Sequence, residues 1–177
     1  IEGIAQTPER QQKYMQTIRE KANDIDRMVD KLFLFSKLDL GDSPFYPEPI
    51  PVAEALNSLI SENAEAYAKQ GMMITLEEIP EACTVYADPV QFRNAITNLL
   101  ENSLKYKDAP EVQVRIRCTE TDSDATIIVS DNGPGVPEEA LPKLFDVFYR
   151  SDPARSNPQS GSGLGLAITA KILERFG

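Results

Sequence analysis

The chain has 177 residues, of which 41% are hydrophobic and 26% are charged, and its net charge is −10. This composition is typical of a soluble globular protein with room for one domain and a helical appendage. The negative charge argues against a nucleic-acid surface, which needs a basic patch. The sequence contains no histidine, which excludes a histidine base, metal ligand or nucleophile within it. There is no bilayer-length apolar run and no signal-peptide pattern, so we expect a cytoplasmic location without membrane contact.

The first segment, residues 8–40, is predicted to form one long helix. Thr7 is a suitable N-cap, and Pro8 suits the first helical position. An apolar stripe that needs a partner helix recurs at spacings of three and four: Ile18, Ala22, Ile25, Met28, Val29, Leu32 and Phe35. Gly41 ends the helix. The prolines of the linker at 42–52 predict a stiff connection that could contain one short edge strand and that holds the helix away from the rest.

The remainder alternates helical and strand patterns. Helices are predicted at 53–70, 89–107, 137–146 and from about Gly163 onward. Strands are predicted at 72–78, 83–87, 111–119 and 125–131, the last two joined as a hairpin. This order predicts an α+β domain, in which one mostly antiparallel sheet has helices on a face.

The two cysteines, Cys83 and Cys118, lack metal-ligand spacing. A disulfide between them requires that the fold bring them together. We expect two reduced, half-buried thiols, as in a cytosolic protein.

The helix at 89–107 has a polar stripe and an opposite, mainly apolar side. The stripe holds Asn94, Asn98, Asn102 and Lys105, and the other side holds Phe92, Ile96, Leu99 and Ser103. Such a stripe could be an ordinary solvated face. Asparagine is a mediocre helix former, however, so three in register indicate a ligand. Asparagine oxygens can complete the shell of Mg²⁺, and Lys105 offers a point charge for phosphate.

Two glycine-containing loops could contact a nucleotide. Asp131-Asn132-Gly133-Pro134-Gly135-Val136 follows a strand, and its aspartate would suit the exocyclic amine of adenine, although alone it could be only a turn. Gly161-Ser162-Gly163-Leu164-Gly165-Leu166 precedes a helix, where free N–H groups favour phosphate. It matches neither a Rossmann fingerprint nor a P-loop, and alone it could equally be a flexible linker.

The segment Phe145-Asp146-Val147-Phe148-Tyr149-Arg150 precedes a stretch rich in Ser, Pro, Asn and Gly. It could be the end of a helix with its aromatic side chains in the core. Alternatively, it is the hinge of a mobile lid at 149–162, with Arg150 placed for a phosphate.

Together these motifs resemble the N, G1, F and G2 boxes of sensor histidine kinases, in the family's order. The matching segments are Asn98-Leu-Leu-Glu-Asn102-Ser-Leu-Lys105-Tyr106, Asp131-Asn-Gly-Pro-Gly135, Phe145-Asp-Val-Phe148 and Gly161-Ser-Gly-Leu-Gly-Leu166. Residues 8–40, which end in Leu34-Phe35-Ser36-Lys37-Leu38, resemble the second helix of the family's dimerisation hairpin.

The resemblance implies specific roles for these residues. Asn98, Lys105 and Arg150 would be the catalytic contacts to the phosphates, and Asn102 would hold the Mg²⁺ that bridges them. Asp131 would accept from the adenine amine. The ATP-binding set would be completed by Tyr106, Gly133, Gly135, Val136, Phe148, Tyr149, Gly161, Ser162, Gly163, Leu164, Gly165 and Leu166.

The resemblance also implies an architecture and partners. The fold would be a two-layer α/β sandwich of the GHKL type at 53–177, preceded at 1–41 by part of the hairpin of a four-helix bundle. The chain would bind ATP and Mg²⁺, pair into a homodimer through the 8–40 helix, and serve a response-regulator receiver domain. The family's phospho-accepting histidine helix and last strands are not in the sequence, so we expect a trimmed piece of a larger sensor, with or without a membrane anchor.

Three alternatives to a histidine kinase stay open at this point. Hydrolytic relatives of the gyrase and mismatch-repair type have a glutamate base at the position of Asn98, and asparagine cannot take a proton from water. A serine kinase of the anti-sigma-factor type shares the nucleotide fold but does not explain the long helix. A catalytically dead dimerisation scaffold is disfavoured by the four intact boxes.

Overall fold

The computed structural model describes residues 7–41, 44–121, 123–150 and 162–176. The helices of the described residues are α1 (Pro8–Asp39), α2 (Val52–Lys69), α3 (Pro89–Lys105) and α4 (Gly165–Phe176). The strands are β1 (Glu48–Pro51), β2 (Met72–Glu77), β3 (Thr84–Ala87), β4 (Val112–Glu120) and β5 (Ala125–Asp131). A short 3₁₀ helix spans Glu138–Lys143. Each of these elements overlaps a predicted one, and β1 is the short edge strand expected within the proline-rich segment.

The strands of the described residues pair in two separate pieces of sheet, and two of the three strand pairings are antiparallel. In the smaller piece β1 is antiparallel to β3, with Glu48 opposite Ala87. In the larger piece β4 is the central strand, parallel to β2 and antiparallel to β5. The prediction of one continuous sheet is therefore wrong in this detail. Glu78, directly after β2, has a φ of 49°, and the chain leaves the larger piece there before it enters β3 in the smaller one.

The main core lies between the sheet and one layer of helices. Alternate residues of β4 from Val112 to Cys118 are buried, because successive side chains of a strand point to opposite faces. Their partners in the core come from α2 and α3 and include Leu56, Leu59, Phe92 and Ile96. This arrangement confirms the two-layer α+β architecture expected from the sequence.

The start of α3 is fixed by Asp88, the buried N-cap residue. Its Oδ1 accepts hydrogen bonds from the backbone N–H groups of Val90 and Gln91, both at 3.0 Å. Its Oδ2 accepts from the N–H of Tyr46 at 2.9 Å. One carboxylate thus satisfies the free N–H groups of the first turn and ties α3 to the segment before β1.

The C-terminal end of α1 packs on the rest of the protein. Leu38 is buried in a second apolar cluster, with Leu164, Ile168 and Ile172 from the region of α4. The cluster is flanked by two ion pairs, Lys31 to Glu101 at 2.8 Å and Lys171 to Asp39 at 3.2 Å. The prediction that the linker holds this helix away is therefore wrong, because the last turns of α1 bury apolar surface against α4.

The rest of α1 projects from the protein. Every side chain from residue 8 to residue 30 is exposed. Ile18, Ile25, Met28 and Leu32 of the predicted stripe remain between 43% and 62% exposed. No helix in the described part of the chain is long and apolar enough to span a bilayer.

Candidate nucleotide site

Helix α3 is the centre of the candidate site. Asn94, Asn102 and Lys105 are half-buried, whereas Asn98 is buried. The Asn98 side chain lies between α1 and α4: its Oδ1 is 3.4 Å from Lys31 Nζ, and a β-carbon at Gly165 would be 3.6 Å from it. The stripe is therefore not a solvated face. Asn98 lies at the base of the site, against the start of α4.

Asp131 at the end of β5 is held from two directions. Its Oδ2 accepts from Ser103 Oγ at 2.7 Å, and its Oδ1 accepts from the N–H of Gly133 at 2.8 Å. A β-carbon at residue 133 would lie 2.8 Å from Asp131 Oδ1, so a side chain there would force the carboxylate to shift. Each carboxylate oxygen has about two acceptor positions, so Asp131 can still accept a hydrogen bond from a ligand amine.

The contact of Ser103 with Asp131 was not predicted from the sequence. Helical spacing predicts Ser103 on the side of α3 opposite the asparagines, and that side chain does lie in the interior, 7% exposed. That interior position is where α3 faces the end of β5, so the hydroxyl meets the Asp131 carboxylate. The only sequence signal was a small polar residue on an otherwise apolar face.

Lys105 lies in a cluster of positive charge. Burial is the main cause that lowers the pKa of its ammonium to about 8, and the charges of Lys31 and Arg150 add to this effect. Its Nζ is 4.9 Å from the centre of the Tyr106 ring. Burial also raises the pKa of the Tyr106 hydroxyl. The positive charges of Lys31, Lys105 and Arg150 therefore act on one small region, and such a region suits a polyanionic ligand.

Gly163, in the loop before α4, lies against the backbone of Phe148 and Tyr149. Gly163 has a φ of 72°, and a β-carbon there would lie 2.9 Å from both Phe148 C and Tyr149 O. Both the backbone conformation and the space thus require glycine. Phe148 itself has a φ of 62° and is 56% exposed. This contact brings Tyr149 and Arg150 next to the loop that precedes α4.

The remaining predicted residues have different environments. Val136 and Gly135 are exposed beside Asp131, and Ser162 Oγ accepts a hydrogen bond from the N–H of Leu164 at 3.3 Å. Leu164 is fully buried in the cluster with Leu38, so only its backbone can reach a ligand. Leu166 is half-buried. Gly161 and most of the predicted lid at 149–162 lie outside the described residues.

The residues present fit Mg²⁺ held jointly with phosphate. No group of three His, Cys, Asp or Glu side chains in the described ranges could hold a metal by itself. Mg²⁺ commonly takes one or two protein oxygens and completes its shell with waters and substrate phosphates. Asn102 offers one such oxygen on the same helix as Lys105.

Comparison with known proteins places these motifs in a family. Residues 87–177 match the model of the histidine kinase-, DNA gyrase B- and HSP90-like ATPases. This stretch contains α3, both glycine-containing loops and α4, and therefore every site residue predicted from the sequence, whereas Lys31 of α1 lies outside it.

Curated relatives match nearly the whole chain. The signal transduction histidine-protein kinase BaeS of Escherichia coli is 30% identical over 89% of the chain, and the sensor protein kinase WalK of Staphylococcus epidermidis is 32% identical over 98%. The chain spans only 33% and 28% of the lengths of these relatives. A full-length structure of ShkA in complex with AMPPNP superposes with a TM-score of 0.75 at 23% identity, covering 94% of this chain and 34% of that one. That likeness supports the fold.

Proposed function

The chain belongs to the histidine kinase-, DNA gyrase B- and HSP90-like ATPase family, and from this premise we propose that it is the catalytic, ATP-binding core of a two-component sensor histidine kinase. Its reaction is the transfer of the ATP γ-phosphate to a histidine of the dimerisation hairpin. Because the 177 residues include no histidine, the acceptor belongs to another part of the protein or to another chain.

One observation supports this proposal most directly. Residues from four separate segments converge at the C-terminal end of α3. Asn102 and Lys105 belong to the helix itself, and Asp131 comes from β5. The other two segments meet where Gly163 contacts the Phe148–Tyr149 backbone. The convergence combines an acceptor suited to adenine with cations suited to phosphate. A protein that only dimerised would need neither feature.

The proposed roles follow from the chemistry of each side chain. Asp131, oriented by Ser103, accepts from the adenine amine. Lys105 and Arg150 neutralise charge on the phosphates, and Asn102 holds Mg²⁺. Bound MgATP supplies the phosphoryl group and most of the negative charge, while the protein supplies position and countercharge.

The alternatives differ from the histidine kinase at Asn98 and in α1. Hydrolysis needs a base to activate water, and the buried Asn98 amide, 3.4 Å from the Lys31 ammonium, cannot serve as one. A serine kinase of the anti-sigma-factor type would leave α1 without a purpose. The exposed apolar residues of α1 therefore favour the histidine kinase.

Labelled ATP tests the proposal. The 177-residue chain is incubated with γ-labelled ATP and Mg²⁺, alone and together with a dimerisation hairpin of a histidine kinase that carries the acceptor histidine. We expect an acid-labile, base-stable label on the hairpin and none on the 177-residue chain. An acid-stable label on the 177-residue chain would favour the serine kinase, and inorganic phosphate as the sole product would favour the ATPase.

The shifted pKa of Lys105 predicts pH-dependent nucleotide binding. Only the ammonium attracts phosphate, so ADP affinity should be highest below the pKa of about 8 and should fall about tenfold between pH 7.5 and 9.5. The nucleotide-free protein should become more stable over the same interval, because the folded state binds the proton more weakly than the unfolded chain does. Calorimetric titrations and thermal melts across this range measure both trends.

Two lysine variants make this pH test specific. Lys105→Arg keeps its charge, so its ADP affinity should be nearly flat over the interval. Lys107→Arg is the matched control, since Lys107 donates to the backbone oxygens of Gln70 and Pro110 outside the cation cluster. An unchanged pH slope in Lys105→Arg would show that another group causes the dependence.

The exposed part of α1 forms the homodimer contact in this proposal. Ile25 is 61% exposed and Leu32 is 45% exposed, and burial of such a side chain contributes about 1.5–3 kcal/mol. We expect the double variant Ile25→Asp, Leu32→Asp to shift sedimentation toward the monomer. Gln16→Asp, Asn23→Asp adds the same charge at the same spacing on the opposite side of the helix and should leave the association unchanged. A parent chain that remains monomeric at high concentration would contradict this contact.

The remaining partner is a receiver domain of a response regulator, which would take the phosphoryl group from the histidine. Its identity depends on surfaces of the whole sensor. We also propose a cytoplasmic position for this domain, where ATP is available.

A further inference from the structure

The two cysteines meet in the core. Cys83 Sγ and Cys118 Sγ are 3.4 Å apart, and both residues are buried, at 0% and 2% exposure. Both are free thiols in the structure. A disulfide between Cys83 and Cys118 requires that the fold bring the two residues together, and the fold meets that condition. The expectation that they are half-buried is wrong, because both point into the main core.

The pair lies at the junction of the two sheet pieces. Cys83 directly precedes β3 of the smaller piece, and Cys118 belongs to β4 of the larger piece. A covalent bond between them would join the two pieces, which share no strand pairing among the described residues. The loop that it closes, residues 83–118, contains all of α3 and therefore Asn98, Asn102 and Lys105.

A reagent in solution can reach the two buried thiols only if the protein opens locally. Burial raises the pKa of the Cys118 thiol to about 11, with the neighbouring Cys83 contributing, so the thiol form predominates while the core is closed. Cys83 adjoins the exposed turn at 80–82, which follows Glu78 with its φ of 49°. Opening of this turn would expose Cys83 without unfolding the central strand β4.

We infer that Cys83 and Cys118 are a reversible disulfide site that locks the two sheet pieces together. The oxidant is a low-molecular-weight disulfide. The Cys83 thiolate attacks one of its sulfurs and forms a mixed disulfide, releasing one small thiol. The Cys118 thiolate then attacks Cys83 Sγ, forming the Cys83–Cys118 bond and releasing the second small thiol. The two cysteines lose two protons and two electrons in total, and the reagent gains them.

The test treats the 177-residue protein with excess 2-hydroxyethyl disulfide, followed by alkylation in denaturant and peptide mass analysis. We expect a linked peptide pair containing Cys83 and Cys118, within single chains, and its loss after reduction. The melting temperature of the oxidised protein should rise by about 5–10 °C, because the bond restricts the unfolded chain. Cys83→Ala and Cys118→Ala, each with one thiol, should show neither the link nor the rise.

Peptide analysis of the unaltered protein decides the matter even if one alanine variant folds poorly. Two thiols that remain open to alkylation after prolonged oxidation would overturn the inference. Links found only between separate chains on a non-reducing gel would overturn it equally. Neither measurement uses nucleotide, so its outcome is independent of the proposed kinase activity.

Discussion

Replacing Asp131 by alanine is expected to weaken ATP binding by about 5- to 150-fold, the equivalent of about 1–3 kcal/mol for a lost acceptor. The carboxylate is held by Ser103 and by the N–H of Gly133, so its direction is fixed before any nucleotide arrives. A fixed acceptor contributes more than a mobile one because less ordering remains to be done on binding. Calorimetry with ATP and Mg²⁺ measures the loss.

The base dependence of this loss makes the prediction specific. Adenine has a donating amine at the position where guanine has a carbonyl, so Asp131→Ala should weaken ATP binding more than GTP binding. Asp124→Ala, at the exposed turn between β4 and β5, is the control and should bind as the parent does. If Asp131→Ala kept the parent's preference for ATP, the assignment of Asp131 to the base would be wrong.

Replacing Asn102 by alanine is expected to abolish most of the enhancement that Mg²⁺ gives to nucleotide binding. Asn102 is half-buried on α3, next in register to Asn98 and three residues before Lys105. Its amide oxygen is a hard ligand of the kind that Mg²⁺ prefers. Affinities for ADP measured with Mg²⁺ and with a chelator should differ strongly in the parent and little in the variant.

Two further variants separate metal binding from a general effect on the helix. Asn102→Asp retains an oxygen ligand, so it should keep a clear Mg²⁺ dependence. Asn57→Ala removes an exposed asparagine from α2, where the side chain donates to the Ala53 carbonyl, and should change nothing. A parent-like Mg²⁺ response in Asn102→Ala would mean that the metal is held elsewhere.

Local sequence patterns predicted the elements well because each element has a strong local signal. The sequence predicted a strand at 111–119 and a helix at 89–107, and the structure has β4 at Val112–Glu120 and α3 at Pro89–Lys105. The four boxes predict a nucleotide site because their order along the chain is specific to one family. These signals depend on neighbours in the sequence, which a single chain provides.

Contacts between distant segments were not predictable in the same way. The Ser103–Asp131 hydrogen bond joins residues 28 positions apart, and the Lys31–Glu101 ion pair joins residues 70 apart. Periodicity assigned Ser103 to a face of α3 without identifying what that face meets, and no pattern in the sequence pointed to a partner for Lys31 or Glu101. The packing of Leu38 against α4 was not predicted for the same reason. Prolines indicate that a linker is stiff, but they do not indicate the direction in which it leads the chain.

The attachment of α1 has a mechanical consequence. An α-helix rises 1.5 Å per residue, so residues 8–30, all exposed, make a rod about 35 Å long beyond the anchored turns near Leu38. By simple leverage, a tilt of about 10° at the anchor moves the far tip by about 6 Å. In the reverse direction, a displacement at the tip moves Lys31, and with it the Lys31–Glu101 and Lys31–Asn98 contacts, by about a quarter as much, because Lys31 lies about 10 Å from Leu38 along the helix and the tip about 45 Å. The exposed part of α1 therefore acts as a lever. A weak force at its tip produces a larger force, over a smaller displacement, at the few contacts beside α3.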